Sequence, residues 1–475
     1  MGQRTLALIL LVGVSCAAAS VKIGWREADG RRSIQPLEVE EYTALALNGE
    51  AGVFTSPAAL EALAITIRTY ARVNLGRHQS EGYDFCDTTH CQRLLRGPAQ
   101  PRVRAAVEAT QGLILWARGR PADVYFHRNC GGTTEDAGAV WPGASRAWLP
   151  VQADDACVRL DGREWTARIA LTELARALGL AGIHSIRVAS RTPSGRVASL
   201  WTDAGQFEAE RVHLAVGRTL GWSYLKSRLY EVHIEGSEAV FTGRGSGHGV
   251  GLCQDGAEAR GRAGESAGQI LAFYFPGTRA AVNAQGFLWK ELRGERVTLR
   301  SESPDGSLLS MCEQALALAE QRSGLRARAG VRVVVYPTLD AWRDGAGEPA
   351  FVLASTRNGT IRLQPESLIR TKAALDLIIK HEIFHVLLEQ NIGKPLPRWF
   401  MEGLVIVLNG EEARTAAWNG RVESTLAAPR DEAELRTAYA AAATRVRGLI
   451  AANGREAVLG WVQSGLPTKI EHDQH

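Results

Sequence analysis

Two histidines four residues apart give the clearest sign of chemistry in the sequence, in the segment His381-Glu382-Ile383-Phe384-His385. In an α-helix, residues i and i+4 lie on one face about one turn apart, so both imidazoles can bind the same ion. Glu382 lies beside them, where a carboxylate can act as general base toward a zinc-bound water. A catalytic zinc site takes three protein ligands and keeps one open position. The third candidate ligand is Glu402, which follows a short proline-containing loop.

A second group of metal-binding side chains lies much earlier, in Cys86-Asp87-Thr88-Thr89-His90-Cys91. Thiolate and imidazole are ligands that zinc prefers, so Cys86, His90 and Cys91 predict a zinc site. Zinc sites normally use three or four protein ligands, and His78 is the nearby candidate for a fourth. There are two alternatives: a disulfide between Cys86 and Cys91, or a polar loop that lines a cleft.

The segment Gly243–Gly251 is rich in glycine and contains His248. Because glycine has no Cβ and tolerates positive φ, such a segment lets the backbone approach a ligand closely. His248 within it can exchange a proton or a hydrogen bond with that ligand. The segment lacks the Lys-Ser/Thr ending of a phosphate-binding loop. A tight structural turn is the alternative.

Four segments in a fixed order resemble the stage II sporulation protein D/amidase enhancer (SpoIID/LytB) family over roughly residues 35 to 285. The segments are Glu50 with the helix that carries Arg68-Thr69-Tyr70-Ala71, then Cys86–Gln92, then Tyr125–Glu135 with Val140-Trp141, and finally Gly243–Gly251 with Gln254 and Gly256-Ala257. The resemblance implies action on peptidoglycan. The domain would cleave glycan strands as a lytic transglycosylase, or bind glycan without cutting it and stimulate a cell-wall amidase.

The same resemblance implies that Glu50 is the acidic catalytic residue, because it precedes Arg68-Thr69-Tyr70 as the family's glutamate does. Ala51-Gly52 follow it, where the family has Met-Pro. One glutamate suffices for this reaction: its acid form protonates the glycosidic oxygen, and its carboxylate then takes the proton of the sugar's 6-hydroxyl. The alternative is a surface glutamate at a helix edge.

Residues 325–410 resemble the gluzincin metallopeptidases of the peptidase MA type, which carry a Trp-Phe-x-Glu-Gly motif, here Trp399–Gly403. The resemblance implies that His381, His385 and Glu402 bind Zn²⁺, that Glu382 is the base, and that a peptide or protein is the substrate. Thr360–Leu363 is predicted as an edge strand that pairs with an extended substrate. No oxyanion-stabilising residue is assigned, although Tyr439 lies in a later predicted helix. The alternatives are a helix whose histidines bind no metal, or a metal site without peptidase turnover.

The predicted fold class is α+β in two domains. Residues 21–295 form a mixed α/β SpoIID-like domain, and residues 305–466 form a mainly helical zincin-like domain with a small sheet, followed by a tail at 467–475. The helices expected from apolar periodicity are 60–75, 267–274, 310–322, about 371–390 and 437–453. Strands are expected at 124–126, 197–201, 331–336 and 360–363. Gly294 and the segment Ser301–Pro304 predict a linker.

The N-terminus has the order of a secretory signal, with Arg4 before an apolar run and small residues up to Ser20. We therefore expect residues 1–20 to be a signal peptide, and the protein to act in the periplasm or at the cell surface; lipidation at Cys16 is a minor alternative. The rest of the sequence has no stretch long enough to span a membrane, so an integral membrane protein is not expected after cleavage. Cys130 and Cys157 are expected to form a disulfide in an oxidising compartment.

The net charge of +4 is spread over 475 residues without a basic run, which argues against nucleic acid as a partner. The sequence also permits a protease that its first domain only docks to the cell wall.

Overall fold

The computed structural model describes residues 20–372, 374–411, 415–427 and 429–472, without the side chains of residues 344, 471 and 472. The signal-peptide prediction lies outside this part of the chain, apart from Ser20. The chain divides into two compact units, Val21–Gly286 and the chain from Phe287 onward. Among the helices described, none is both long and apolar enough to cross a bilayer.

The first unit is built from short strands and helices. Its strands are β1 (Ser20–Arg26), β2 (Arg32–Glu38), β3 (Phe85–Cys86), β4 (Ile114–Ala117), β5 (Arg120–Pro121), β6 (Phe126–His127), β7 (Trp165–Ala170), β8 (Ile186–Arg191), β9 (Val197–Thr202), β10 (Gly205–Glu208), β11 (Tyr230–Glu235), β12 (Glu238–Gly243), β13 (Leu252–Cys253) and β14 (Arg279–Ala281). Its helices are α1 (Val39–Glu50), α2 (Pro57–Asn74), α3 (Pro101–Ala109), α4 (Asp155–Asp161), α5 (Leu171–Leu178), α6 (Ala209–Thr219), α7 (Gln254–Arg262) and α8 (Ala267–Tyr274).

Several small sheets, rather than one large one, organise this unit. Their strand orders are β2-β1-β3, β14-β4-β5, β13-β6, β10-β9-β8 and β11-β12-β7. The first three sheets and α2 enclose one hydrophobic core, whose residues come from 21–149 and 250–275, together with Cys157. The last two sheets enclose a second core made from residues 165–241. The segment 165–241 is therefore a subdomain inserted between the halves of the first core.

Helix α2 is the centre of the first core. Its start is fixed by Pro57 in the first turn and by the Ser56 hydroxyl, which accepts a hydrogen bond from the Ala59 amide. Leu63 and Ile67 are fully buried, and each such side chain contributes about 1.5–3 kcal/mol of transfer free energy. Arg68 is also buried, and it forms an ion pair with Glu40 of α1 at 2.6 Å. This pair holds α1, and thus its last residue Glu50, against the core helix.

The second unit combines one sheet with a larger set of helices. Its strands are β15 (Lys290–Arg293), β16 (Val297–Ser301), β17 (Val331–Val335), β18 (Ala354–Arg357) and β19 (Thr360–Leu363). Its helices are α9 (Gly306–Ser323), α10 (Leu339–Ala346), α11 (Glu366–Lys372), α12 (Leu375–Asn391), α13 (Arg398–Asn409), α14 (Val422–Ala427), α15 (Glu432–Asn453), α16 (Arg455–Ser464) and α17 (Thr468–His472). The architecture of the chain is thus mixed α and β.

The sheet of the second unit differs from the sequence prediction in two places. Its strand order is β15-β16-β17-β19-β18, so β19 lies inside the sheet and β18 forms the edge. The prediction of Thr360–Leu363 as the edge strand was wrong, because Asn358-Gly359 turns the chain and pairs β18 with β19 in a hairpin. The expected linker also begins within structure: β15 and β16 pair across Gly294.

Candidate functional site

A cavity of about 640 Å³ in the first unit brings together residues from all four segments of the SpoIID-like pattern. Parallel pairing of β13 with β6 places the end of the glycine-rich segment beside Phe126 and His127. Helix α1 contributes its last turn, and the Cys86–Gln92 segment supplies another wall. The cavity is lined by Glu50, Tyr70, Arg77, His90, Cys91, Arg93, Tyr125, His127, Arg128, Trp141, His248 and Gln254, among others.

Glu50 is half-buried at the edge of this cavity. The Gln254 side-chain amide donates a hydrogen bond of 2.8 Å to its carboxylate Oε2. Gln254 is the first residue of α7 and lies 204 positions from Glu50 in sequence. Sequence reasoning gave Gln254 no separate role, although it stands three residues after the glycine-rich segment. The arrangement leaves the other carboxylate oxygen available to a bound molecule.

His248 forms part of the cavity wall and makes two contacts with the backbone. Its Nδ1 accepts a hydrogen bond of 3.0 Å from the Val250 amide, and the ring also bonds to the backbone of Phe126. Burial, together with the charge of Arg196, lowers the pKa of His248 to about 4. The imidazole is therefore neutral at pH 7. It packs against Trp141, with ring centroids 5.0 Å apart.

His127 is a cavity residue that the sequence pattern contained but did not distinguish. It is buried, and its Nδ1 lies 3.1 Å from the Val250 carbonyl, which fixes Nδ1 as the protonated nitrogen. Its Nε2 has no hydrogen-bond partner within the described part of the chain. Burial lowers the pKa of His127 well below its usual value. A neutral acceptor nitrogen in the wall can receive a hydroxyl hydrogen from a ligand.

The predicted soft-ligand site lies next to this cavity and includes a fourth residue. The donor atoms of His78, Cys86, His90 and Cys91 lie within 4.8 Å of one another. Cys91 Sγ is 3.3 Å from His78 Nε2, and Cys86 Sγ is 3.8 Å from His90 Nδ1. Both cysteines are free thiols. Two sulfurs and two imidazoles around one point are a donor set that fits Zn²⁺.

The His381–His385 cluster of the second unit is buried and compact. His385 Nε2 lies 3.1 Å from His381 Nε2 and 3.1 Å from Glu402 Oε2. His381 Nε2 is 3.7 Å from the same Glu402 oxygen. The i and i+4 positions on α12 place the two imidazoles together, and packing of α13 against α12 brings Glu402 to them. Two imidazole nitrogens and one carboxylate oxygen converging on a point fit a zinc ion.

Two further carboxylates complete this cluster. Glu411 Oε1 lies 2.6 Å from His381 Nδ1, so His381 presents Nε2 to the cluster. Gly410 ends α13 with a positive φ of 75°, which lets the chain turn back and bring Glu411 to the imidazole. Glu382 is fully buried; its Oε2 accepts a 2.5 Å hydrogen bond from Thr356 on β18, and its Oε1 has no partner among the described residues. Sequence reasoning identified neither Glu411 nor Thr356.

The protonation of these groups follows from burial and from their mutual charges. Burial raises the pKa of Glu382 to about 7. Burial also acts to raise the pKa of Glu402, but the adjacent His385 and His381 outweigh it and lower that pKa to about 2. Tyr439 of α15 is buried near these carboxylates. Burial first, and then the charges of Glu402 and Glu382, hold its pKa well above the usual value, so its hydroxyl keeps its proton.

Comparison with known proteins bears on the first unit. Residues 27–116 match the family model described as SpoIID, stage II sporulation protein. The N-terminal part of the chain carries a SpoIID family domain. Stage II sporulation protein D of Bacillus subtilis is 25% identical over 280 residues, which cover 54% of this chain and 78% of the relative.

Two other relatives extend this comparison. An uncharacterized protein of Brachyspira hyodysenteriae is 27% identical over 252 residues, covering 51% of this chain and 67% of that protein. The amidase enhancer of Bacillus subtilis is 23% identical over 270 residues, covering 46% of this chain and only 37% of the relative. Glu50 and the cluster of His78, Cys86, His90 and Cys91 lie inside the matched SpoIID segment. The gluzincin resemblance of residues 325–410 stays a prediction.

Proposed function

We propose that the protein acts on the bacterial cell wall, and that its SpoIID domain cleaves glycan strands of peptidoglycan with Glu50 as acid and base. The single observation that carries the proposal is the Glu50 carboxylate at the edge of a cavity, with one oxygen held by Gln254. Relatives named stage II sporulation protein D and amidase enhancer support a cell-wall role.

The cavity has the chemistry that a saccharide chain requires. Tyr125 and Trp141, whose ring centroids lie 4.6 Å apart, offer aromatic faces to sugar rings. Arg77, Arg93 and Arg128 offer donors to carboxylate groups. Glu50 would donate its proton to the leaving oxygen and then accept the proton of the 6-hydroxyl, so that a 1,6-anhydro ring closes as the glycosidic bond breaks.

The test uses glycan strands stripped of peptide, with anhydromuramyl ends measured by mass spectrometry. We expect the wild type to produce these ends, and Glu50→Gln to reduce the rate by about 10²–10⁴, the contribution usual for general acid–base catalysis. Glu41→Gln, on the same helix and outside the cavity, is the matched control and should retain activity. Equal product from Glu50→Gln would refute the assignment. Binding without product in the wild type would instead indicate an amidase enhancer.

For the second unit we propose zinc-dependent peptide hydrolysis. The convergence of His381, His385 and Glu402, with the unpartnered Glu382 Oε1 beside them, favours this candidate. Bound zinc would supply a Lewis acid that polarises the peptide carbonyl and lowers the pKa of a water molecule. The His381 and His385 imidazoles and Glu402 would hold the ion. Glu382, oriented by Thr356, would accept the proton of the water through Oε1.

Zinc content and hydrolysis of a mixed peptide library test this second candidate. His381→Ala should remove one zinc equivalent and abolish the zinc-dependent cleavage, because only two ligands remain. Asp376→Asn, on an exposed part of the same helix, should change neither. A wild-type protein that binds zinc at His381 and cleaves no peptide would indicate a retained metal site without turnover. Unchanged zinc in the His381→Ala variant would refute the ligand assignment.

A further inference from the structure

Three cysteines distant in sequence meet in the interior of the first unit, outside the Glu50 cavity and the two metal-ligand clusters described above. Cys130, Cys157 and Cys253 are all fully buried and all free thiols. The predicted Cys130–Cys157 disulfide was therefore wrong for this structure, because a third sulfur lies with them and none of the three is bonded to another. Their Sγ atoms and one oxygen of the fully buried Asp154 lie within 4.8 Å of one another.

The spacing of these atoms matches a tetrahedral zinc site. With Zn–S bonds of about 2.3 Å and Zn–O bonds of about 2.0 Å, a tetrahedron places sulfur about 3.5 Å from oxygen. The distance from Cys130 Sγ to Asp154 Oδ2 is 3.5 Å. Asp154 Oδ2 also accepts a 2.6 Å hydrogen bond from the Tyr274 hydroxyl, which is the kind of outer contact that orients a ligating carboxylate.

Backbone amides point at the sulfur of Cys253, although burial, together with the neighbouring thiols, raises the pKa of Cys253. Cys253 caps the N-terminus of α7, and its Sγ accepts hydrogen bonds from the amides of Gly256 at 3.4 Å and Cys130 at 3.3 Å. Backbone amides and a helix N-terminus both stabilise negative charge on sulfur. Gly256 permits this packing, because a Cβ there would come within 2.3 Å of Asp154 Oδ2.

Two guanidinium groups supply the positive charge that such a site would need. Arg196 is fully buried and donates to the Cys130 carbonyl at 2.7 Å. Arg260 lies 3.4 Å from Asp154 Oδ1. A zinc ion with three thiolates and one carboxylate carries two net negative charges, which these two cations can balance. Buried charge without such partners would be strongly disfavoured.

We propose that Cys130, Cys157, Cys253 and Asp154 form a structural Zn²⁺ site. Four buried protein ligands leave no open position, which is the arrangement of structural rather than catalytic zinc. The ion would join the loop after β6, helix α4 and the start of α7. Gln254, which holds Glu50, directly follows Cys253, so the site would also fix one wall of the cavity.

The test measures zinc in the full-length chain after the other two candidate sites have been removed by Cys86→Ser, Cys91→Ser and His381→Ala. We expect this background variant to keep one zinc equivalent, with sulfur neighbours in its X-ray absorption spectrum. Adding Cys157→Ser should remove that zinc. Adding Cys312→Ser instead should leave it in place, because Cys312 is a buried free thiol outside every such cluster of the described residues. A background variant that folds, as judged by circular dichroism, and holds no zinc would overturn the proposal.

A second test uses the wild-type chain, so it does not require any variant to fold. Protein purified without reductant is denatured, alkylated and digested, and its cysteine peptides are identified by mass spectrometry. We expect Cys130, Cys157 and Cys253 all to be alkylated. A disulfide that joins any two of them would overturn the proposal. Neither outcome depends on whether Glu50 cleaves glycan or His381 supports peptide hydrolysis.

Discussion

The Glu50 cavity and the His381–His385 cluster differ in how many charged groups they contain and in how far those groups are exposed. The cluster gathers two imidazoles and three carboxylate side chains with almost no exposed surface, so its charges have to be balanced locally. The cavity is open enough to be lined by many residues and contains one half-buried carboxylate beside aromatic and cationic groups. A dense buried set of donors is suited to a small ion, whereas a wide lined cavity is suited to part of a polymer.

The largest effect that separates the two regions should come from Glu382→Gln. This change keeps the shape of the side chain and the three metal ligands but removes the base, so zinc should stay bound. We expect kcat/KM for peptide hydrolysis to fall by about 10²–10⁴, while glycan cleavage is unchanged. Zinc analysis and the two activity assays on the same preparation check this. Loss of zinc together with activity would show that Glu382 serves the site structurally.

An ion pair outside both regions tests how much a locally balanced charge contributes to the free energy of unfolding. Glu320 of α9 is almost fully buried and pairs with Arg296 at 2.7 Å. Because the Arg296 side chain is 36% exposed, water screens part of this charge, and Glu320→Gln should destabilise the second unit by about 2 kcal/mol, as expected for loss of a hydrogen bond to a charged group. Urea unfolding followed by tryptophan fluorescence measures this. A change under about 0.5 kcal/mol would place Glu320 among ordinary surface residues.

The same pair predicts a pH dependence. Hydrogen bonding to Arg296 lowers the pKa of Glu320 from 4.5 to about 2. Since the folded pKa lies below the ordinary value, the stabilisation is present above about pH 4.5 and is lost as the pH falls toward 2. The stability difference between wild type and Glu320→Gln should therefore shrink over that interval. A difference that stays constant from pH 5 to pH 3 would contradict the pairing.

A smaller effect is expected from Glu411→Gln. Glu411 fixes the His381 ring from the side opposite the cluster, and loss of such an outer partner typically weakens metal binding by 10–100-fold. Competition with a zinc chelator of known affinity measures the change. Glu423 of α14 accepts hydrogen bonds from the backbone amides at the start of α13, so Glu423→Gln is a suitable control for helix stability. Unaltered zinc affinity in Glu411→Gln would mean that His381 is oriented by packing alone.

The smallest effect concerns the contact between Gln254 and Glu50. Gln254→Ala removes one hydrogen bond to the carboxylate, and bonds to charged groups contribute about 1.5–3 kcal/mol. We therefore expect glycan cleavage to fall by about tenfold or somewhat more, because the carboxylate loses the donor that holds it. An unchanged rate in Gln254→Ala would show that this hydrogen bond does not position Glu50.

The His381–His385 cluster could be predicted from the sequence more completely than the contacts of the Glu50 cavity. Helical periodicity brings His381 and His385 together within one element, so their neighbourhood follows from spacing alone. Glu50 and Gln254 are 204 positions apart in sequence, and their hydrogen bond forms only in the folded chain. No local sequence pattern predicts that contact. The same is true of Cys253, which lies beside Cys130 and Cys157 in the fold although it is distant in sequence. All three are free thiols, so the predicted disulfide is absent.

The sequence contains a local indication of the hairpin between β18 and β19, in the dipeptide Asn358-Gly359. Asn358 and Gly359 have positive φ values of 50° and 70°, the backbone of a tight hairpin turn, and Asn-Gly is the sequence that favours it. Reading that dipeptide as a turn predicts a strand on each side, paired as a hairpin; the pairing of β19 with β17 then leaves β18 at the edge. The predicted helix at 267–274 needed no such context, because Ser266 begins it with a capping box and Pro276 follows its end.

Strand β18 offers main-chain donors and acceptors along its outer edge, close to Thr356 and Glu382. An extended chain that adds to such an edge is held chiefly by its backbone, which every sequence shares. Backbone pairing of this kind would admit many different peptides to the strand edge. Selection among them would then have to come from pockets for the side chains beside the scissile bond and from the location in which the protein is retained.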